Sequence, residues 1–433
     1  MGLGLLGRGI GVAKFLSKLG ANLLITDLKT KAQLTSSLKQ LKKSKNIKYV
    51  LGKHRLEDFK NCDLVIKAAG VPLKSEFINE AKKNKIPIEM DASLFAKFTK
   101  AKIIGITGTR GKSTVTQLIY KALKKIYKKG NIYLGGNVRG LATLPLLEKV
   151  KTNDLVVLEL DSWQLQGFGE SKISPQISVF TSFLNDHMNY YKNDMQRYFL
   201  DKAEIFKYQS LNDFLIVSKQ ANKEIKKRYE NKNLPRRDGF IIANEGGVKN
   251  WKTNLIGKHN QTNIALAYEV LNIIGLKKND IKTAIKNFKP ETGRLEFIGT
   301  IKNIDYYNDN NATTPDATIA ALNALYQNKK NIVLICGGAD KELKFEPMLK
   351  TIKKTAKAVI LIKGTATDKI LKILPKDFPE YIVVNSMKKA VQEARKFAKA
   401  GDTILLSPGA ASFGVFKNEY DRNDQFVKYV RSR

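Results

Sequence analysis

The stretch IIGITGTRGKST, running from Ile103 to Thr114, decides the fold of the chain. In it an apolar run ends in a glycine-rich turn, and a helix-like segment follows at 115–126. This order indicates the strand, loop and helix of a nucleoside triphosphate site, where backbone N–H groups surround phosphate oxygens and the helix N-terminus adds a positive dipole end. The alternative is an ordinary glycine-rich turn before a helix. The general pattern has a glycine where Ile106 stands, so this loop is the variant Gly-x-x-Gly-Lys-Ser-Thr.

The end of this loop carries the expected chemistry. Lys112 is placed to reach the β- and γ-phosphates, and the hydroxyl of Ser113 or Thr114 to hold Mg²⁺. The predicted ATP-binding residues of the loop are Gly108, Thr109, Arg110, Gly111, Lys112, Ser113 and Thr114.

Length and composition indicate a large globular protein. The 433 residues suggest about three domains, and an apolar content of 43% is sufficient for several cores. The sequence has neither a membrane-length apolar run nor a charged-then-apolar N-terminal pattern, so we expect a cytoplasmic protein without membrane insertion. Cys62 and Cys336 are far apart and beside apolar runs, which favours buried thiols over a disulfide or a zinc site.

The net charge of +36 has two explanations. One is nucleic-acid binding. The other is general lysine usage, because the lysines are spread along the whole chain and no RNA-binding signature of interleaved aromatic and basic residues is present. We favour the second and predict no specific nucleic-acid partner. A positive field would also attract anionic nucleotide substrates.

The first part of the chain resembles half of a dinucleotide-binding unit. A glycine-rich turn at 2–11 is followed by an apolar helix pattern, a strand at 22–26 and the acidic Asp27, suited to a ribose. No strand-length segment precedes the turn in this sequence. Further strands are predicted at 48–51 and 63–68 and a helix at 75–84, while His54, in a charged stretch, is assigned to the surface.

The rest of the chain alternates strands and helices, which predicts an α/β fold with a mostly parallel sheet in each domain. Strands are predicted at 102–107, 154–160, 176–182, 213–218, 304–307, 331–336, 358–362, 381–384 and 403–406. Helices are predicted at 257–275, 315–326 and 387–399. We therefore predict a Rossmann-like N-terminal domain at 1–93, a P-loop ATPase domain at 94–290 and a Rossmann-like C-terminal domain at 291–433.

Two polar side chains are expected beside the phosphate loop. Glu159 ends the strand at 154–160, where a Mg²⁺ ligand belongs, and His187 follows the strand at 176–182. The ends of parallel strands meet at one edge of a sheet, so Thr107, Glu159 and His187 should converge on one crevice. The alternative for Glu159 is an ion pair with a nearby lysine.

These residues resemble the motifs of the Mur ligase family, ATP-dependent amide-bond ligases of peptidoglycan precursor synthesis. The motifs are 108–114, 158–164, 185–187, 259–263, 293–296, 308–313, 337–341 and 406–413. The resemblance covers essentially the whole chain, and the last two motifs are most similar to those of the members that add D-glutamate. The resemblance implies the three-domain fold and a reaction in which ATP phosphorylates the carboxylate of UDP-N-acetylmuramoyl-L-alanine and D-glutamate attacks the acyl phosphate.

The resemblance also implies a role for each matching residue. Lys112, His187 and Lys202 are the implied catalytic residues, with Lys202 carbamylated at the family spacing from His187; the alternative for Lys202 is a solvated surface lysine. Two Mg²⁺ ions are implied, with Ser113, Glu159, His187 and Lys202 as ligands. ATP would further contact Asn260, Asn263, Arg294 and Asp309, whose alternative is an inter-domain hydrogen-bond network. The UDP substrate would contact Leu5, Leu6, Asp27, Gly70 and Asn137, and D-glutamate would contact Thr313, Lys341, Ser412 and Phe413. We further expect a monomer.

The chain departs from the family pattern at four places. Arg110 stands in place of an asparagine, Asn311 in place of a lysine, and Ala68-Ala69-Gly70 in place of Ser-Pro-Gly. Glu419 stands where an apolar phenylalanine is frequent, so we expect it to point away from D-glutamate or to pair with a cation. Three alternatives remain at this point: another Mur-type ligase, a folylpolyglutamate synthetase-like ligase with a different acceptor, and a nucleic-acid-dependent P-loop ATPase.

Overall fold

The computed structural model describes residues 1–229, 234 and 237–432. The chain forms two compact units. The first unit contains 1–183, 196–245 and 264–284, and the second contains 184–195, 246–263 and 285–433. Within the described residues, no helix combines the length and apolar character needed to cross a membrane.

The N-terminal part of the first unit has two small parallel sheets, β1 with β2 and β3 with β4. The chain start connects them, because the Met1 amine donates to Ile66 O at 2.9 Å and Gly2 N donates to Thr26 O at 2.7 Å. Met1 and Gly2 thus lie between β1 and β3. The elements are α1 (Arg8–Lys18), β1 (Leu23–Asp27), α2 (Thr35–Leu41), β2 (Ile47–Leu51), β3 (Val65–Ile66), α3 (Glu76–Lys83), β4 (Ile88–Glu89) and α4 (Asp91–Phe98).

The rest of the first unit is built on a six-stranded parallel sheet, in the order β10-β9-β8-β5-β7-β6. Its central strands are buried apolar runs, as expected for a parallel sheet covered on both faces. The strands are β5 (Lys102–Thr107), β6 (Ile132–Gly136), β7 (Leu155–Glu159), β8 (Ile177–Phe180), β9 (Phe214–Val217) and β10 (Phe240–Ile242). The helices along this part of the chain are α5 (Lys112–Ile126), α6 (Ser162–Glu170), α7 (Met188–Tyr191), α8 (Met195–Lys207), α9 (Lys219–Arg228), α10 (Lys258–Ile273) and α11 (Lys278–Lys286). Of these, α7 and the start of α10 belong to the second unit.

The second unit contains another six-stranded sheet, in the order β11-β12-β16-β13-β14-β15. All neighbours are parallel except β11, which forms an antiparallel hairpin with β12. Separate apolar clusters cover the two faces of this sheet. The strands are β11 (Glu296–Ile301), β12 (Ile304–Asn308), β13 (Ile332–Gly337), β14 (Ala356–Ile362), β15 (Glu380–Val384) and β16 (Thr403–Leu406). The helices are α12 (Pro315–Leu325), α13 (Glu346–Thr355), α14 (Thr365–Lys372), α15 (Met387–Phe397) and α16 (Glu419–Arg431).

The predicted α/β class and parallel sheets are confirmed, and each predicted strand lies at or within two residues of an observed one. The strands β4, β6, β10 and β11 were not predicted. The assignment of His54 to the surface was wrong. Its ring is half-buried, packs edge-on against Phe77 at 5.1 Å between centroids, and places Nδ1 2.9 Å from Thr26 Oγ1.

Candidate active site

The phosphate loop joins β5 to α5, as the sequence predicts. Gly108 has φ +142°, and a Cβ there would lie 2.0 Å from Thr181 Oγ1, so no larger residue fits without moving its neighbours. Gly111 has φ +87° and turns the chain into the first residue of α5. The backbone conformation therefore explains why glycine stands at both of these positions in the loop.

The segment that follows β8 fixes the loop in place. Thr109 N donates to Ser182 O at 2.7 Å, and Arg110 N donates to Ser182 Oγ at 2.8 Å. The Thr109 hydroxyl also lies 3.3 Å from the Tyr198 hydroxyl of α8. The loop is thus held by hydrogen bonds from its neighbours, which is the preorganisation that phosphate binding requires.

Two lysine ammonium groups meet at one carbonyl of the loop. Lys112 Nζ donates to Gly108 O at 2.9 Å and to Thr109 O at 3.2 Å, and Lys202 Nζ donates to Gly108 O at 2.9 Å. Lys202 is only 2% exposed and lies 4.9 Å from the centre of the Tyr198 ring. The alternative of a solvated surface lysine at position 202 is therefore wrong. The structure concentrates positive charge where a triphosphate would place negative charge.

The Glu159 side chain fits the role of a cation ligand. This residue ends β7 and is buried, and its carboxylate has no hydrogen-bond donor or ion-pair partner within the described part of the chain. The alternative prediction, an ion pair between Glu159 and a nearby lysine, is therefore wrong. Burying a lone carboxylate is costly, and a hard cation such as Mg²⁺ would remove that cost. The described residues contain no cluster of three or more His, Cys, Asp or Glu, so a Mg²⁺ held here would take its other ligands from hydroxyls, phosphates and water.

The predicted UDP-substrate residues all lie in the first unit. The Asp27 carboxylate accepts from Gly4 N at 2.9 Å and from Lys29 N at 2.8 Å, so it shapes the glycine-rich turn itself. Leu5 and Leu6 are exposed, and Gly70 is open to solvent. Asn137 Oδ1 accepts from the Arg8 guanidinium at 2.7 Å. Arg8 was not predicted, because only the fold brings α1 to the loop after β6.

The second unit brings together two of the predicted D-glutamate residues. Lys341 Nζ donates to Thr313 Oγ1 at 3.2 Å and contacts Asp186 Oδ1 at 3.4 Å. Asp186 in turn lies 3.7 Å from the His187 ring, at the start of the short helix α7. The result is a cation held between a hydroxyl and a carboxylate, with an imidazole beside it.

The other predicted D-glutamate residues are on a neighbouring loop. Ala339 and Ala411 exchange backbone hydrogen bonds of 2.9 and 3.0 Å, which joins the 337–341 loop to the 410–413 loop. Ser412 is buried at this junction, whereas the Phe413 side chain is exposed. The predicted contact of Phe413 with D-glutamate would therefore use its backbone and not its phenyl ring.

The predicted nucleotide residues of the second unit are partly engaged in local hydrogen bonds. Asp309 accepts from Leu295 N at 3.0 Å and from the Ser407 hydroxyl at 2.9 Å, so it fixes the turn that contains Arg294. Asn263 Nδ2 donates to Asn260 Oδ1 at 2.8 Å at the start of α10. These bonds lie within the second unit, so the inter-domain hydrogen-bond network stays an untested alternative.

Two departures from the family pattern have structural consequences. Asn311 Nδ2 donates to Thr292 O at 3.2 Å, so the residue closes a turn and supplies no cation. Within the described residues Glu419 forms no ion pair, although its charge raises the pKa of Arg422 against the stronger lowering effect of burial. Arg422 was not predicted. It is fully buried and donates to Asn310 Oδ1 at 2.8 Å and Ala410 O at 3.2 Å, and so ties together the loops that carry Thr313 and Ser412.

Comparison with known proteins agrees with this arrangement. Residues 1–89 match the Mur ligase MurD-like N-terminal domain, 106–237 the Mur ligase middle domain, and 293–409 the Mur ligase glutamate ligase domain. The UDP-N-acetylmuramoylalanine–D-glutamate ligase of Borreliella afzelii is 38% identical over 446 residues, covering 99% of this chain and 96% of that protein. The chain belongs to the Mur ligase family.

Solved Mur ligase structures share the fold. The UDP-N-acetylmuramate–alanine ligase MurC of Thermotoga maritima superposes with a TM-score of 0.60 at 20% identity, covering 99% of this chain and 98% of that chain. The MurF ligase of Thermotoga maritima, solved in complex with ADP, superposes with a TM-score of 0.59 at 14% identity, covering 87% of this chain and 95% of that chain. The Mur ligase fold thus extends along essentially the whole chain.

Proposed function

We propose that this Mur ligase adds D-glutamate to UDP-N-acetylmuramoyl-L-alanine, with ATP as the energy source. The observation that carries the proposal is full-length similarity to a protein named for that activity, at 38% identity. The phosphate loop, with Lys112 beside its carbonyls, supports it. Because the reaction consumes ATP, we place the enzyme in the cytoplasm, and we propose that it works as a monomer.

The first chemical step joins two anions, which repel each other. Lys112 and the backbone N–H groups of 108–111 would neutralise the triphosphate while a substrate carboxylate oxygen attacks the γ-phosphorus and ADP leaves. The free amine of D-glutamate then attacks the carbonyl carbon of the acyl phosphate. The amine loses a proton, the tetrahedral intermediate collapses, and phosphate leaves with the oxygen that came from the carboxylate.

We assign the cation ligands as the family resemblance implies. Ser113 and Glu159 would hold one Mg²⁺, and His187 with a carbamylated Lys202 a second. When bound, Mg²⁺ supplies further positive charge to the phosphate oxygens. The unpartnered, buried Glu159 carboxylate supports the first assignment, and the burial of Lys202 beside the loop supports the second.

The acceptor pocket is assigned to the second unit. D-glutamate carries two carboxylates, so its site needs a cation and hydroxyl donors, which Lys341, Thr313 and Ser412 would supply together with the Phe413 backbone. Lys341 is already oriented by Asp186 and Thr313, so little side-chain entropy would be lost on binding.

Replacing Lys341 with alanine should raise the KM for D-glutamate at least about tenfold, because a charge-assisted contact to a carboxylate is lost. The KM for ATP should change far less. Steady-state kinetics with each substrate varied in turn measures both values, and Lys344→Ala, at an exposed position of the same loop, is the matched control. Equal increases in both constants would remove Lys341 from the acceptor pocket.

Acceptor choice is tested by phosphate release with UDP-N-acetylmuramoyl-L-alanine and a panel of amino acids, with product masses as the second readout. D-glutamate should be the efficient acceptor. Efficient use of L-lysine or L-alanine, with D-glutamate ignored, would overturn the acceptor assignment. Turnover with a pteroylglutamate substrate would favour the folylpolyglutamate synthetase-like alternative.

The net charge of +36 should have little influence on the reaction. We expect duplex DNA to bind weakly, with an affinity that falls steeply as salt is added, because non-specific binding depends on counterion release. ATP turnover should be the same with and without DNA. Fluorescence anisotropy across a salt series and a phosphate-release assay test this, and strong stimulation by DNA or RNA at physiological salt would favour the nucleic-acid-dependent ATPase.

A further inference from the structure

A buried lysine lies beside the predicted UDP-substrate loop. Lys67 directly follows β3, is only 2% exposed, and is not used by the mechanism above. Its ammonium donates to Val71 O at 2.9 Å and, more weakly, to Ala68 O at 3.4 Å. Within the described residues it has no carboxylate within 4.0 Å, so its direct partners are two carbonyls of one loop.

Keeping a lysine charged in this position is costly. Burial lowers the pKa of Lys67 to about 8, and the positive charge of Lys82 on α3 acts in the same direction. The carboxylates of Asp161, at the start of α6, Glu170, at its end, and Asp201, on α8, act in the opposite direction. The Lys67 side chain therefore stays protonated at neutral pH, because these three carboxylates in the ATP-binding part of the first unit attract its charge over longer distances.

The carbonyls of Ala68 and Val71 belong to the 68–71 loop, which is hydrogen-bonded to the start of the chain. Ala68 N donates to Met1 O at 2.9 Å, and Val71 N donates to Ala68 O at 3.0 Å. A Cβ on Gly2 would lie 2.9 Å from Ala68 Cβ, so the glycine-rich turn packs directly against the loop. Gly70, between the two carbonyls, has open space beside it, which leaves its backbone accessible to a ligand.

We propose that Lys67 is a positioning residue for the UDP substrate, because its ammonium holds the 68–71 loop closed and so fixes the Gly70 backbone where the UDP moiety binds. This inference rests on the proposed function. It does not make Lys67 a catalytic residue, since the ammonium contacts the loop and not the substrate.

The test compares Lys67→Met, which keeps the length and apolar part of the side chain, with Lys74→Met, an exposed lysine in the same segment. Calorimetry measures the Kd for UDP-N-acetylmuramoyl-L-alanine, and kinetics measures kcat and the three KM values. For Lys67→Met we expect the Kd and KM of the UDP substrate to rise about tenfold, with kcat at saturation and the other two KM values within about twofold of the parent. Lys74→Met should behave like the parent.

A second measurement uses the unmodified protein and so does not depend on the folding of a variant. The loop-closing bonds are strongest while Lys67 is protonated, so affinity for the UDP substrate should be high below about pH 8 and fall severalfold as the pH rises through that value. Unchanged binding by a folded Lys67→Met, or a flat affinity between about pH 7 and pH 9, would overturn the proposal. If the parent protein itself does not bind the UDP substrate, the proposed function fails instead, and the two failures are distinguishable.

Discussion

Lys112→Ala should abolish ligation while leaving the fold intact. The ammonium at the start of α5 lies over the carbonyls of the phosphate loop, where it can follow the γ-phosphate during transfer. Removing such a preorganised charge costs about 10²-fold or more in rate. Initial rates at saturating substrates measure the loss, and the thermal unfolding midpoint checks the fold.

The matched control is Lys124→Ala, an exposed lysine on the same helix. It should keep the parental rate, since its charge is exposed to solvent. Normal turnover by a folded Lys112→Ala protein would exclude the phosphate loop from the mechanism.

Lys202→Ala should be nearly inactive, and small carboxylates such as acetate or formate should restore part of the rate. The substitution removes a buried side chain and leaves a cavity beside Gly108. An added carboxylate that enters the cavity would supply the oxygen ligands that the proposed carbamate supplies to Mg²⁺. The rate is measured against acetate concentration at constant ionic strength.

The control for rescue is Lys207→Ala, on the same helix, where the exposed lysine pairs with the partly buried Glu204. It should remain active and show no response to acetate. Loss of activity in Lys202→Ala without any rescue would point to a structural cation at the loop in place of a carbamate. Parental activity would remove Lys202 from the mechanism altogether.

The phosphate loop and the parallel sheets could be predicted because their signals are local. A buried strand of a parallel sheet is a short apolar run, and the glycines at 108 and 111 are required by the backbone conformations observed there. The strand β6 was missed because two of its five residues are glycines, and β11 because its turn depends on Lys302 and Asn303 adopting positive φ.

The supporting contacts of the site could not be predicted, because they join residues distant in the sequence. Arg8 reaches Asn137 only after α1 packs against the segment that follows β6, and Arg422 reaches Asn310 only after α16 is in place. Both were single charged residues without a motif. His54 was misplaced for the same reason, since its charged neighbours in sequence suggested solvent whereas its neighbours in space include Phe77 and Thr26.

Phosphorylation of the substrate carboxylate before the amide forms would transfer one carboxylate oxygen to the released phosphate, and oxygen labelling detects this transfer. UDP-N-acetylmuramoyl-L-alanine labelled with oxygen-18 in its carboxyl group is turned over with ATP and D-glutamate, and the released phosphate is analysed by mass spectrometry. We expect one labelled oxygen in each phosphate, with release that requires both the UDP substrate and D-glutamate. Unlabelled phosphate during normal amide formation would contradict it, because the oxygen would then have come from water.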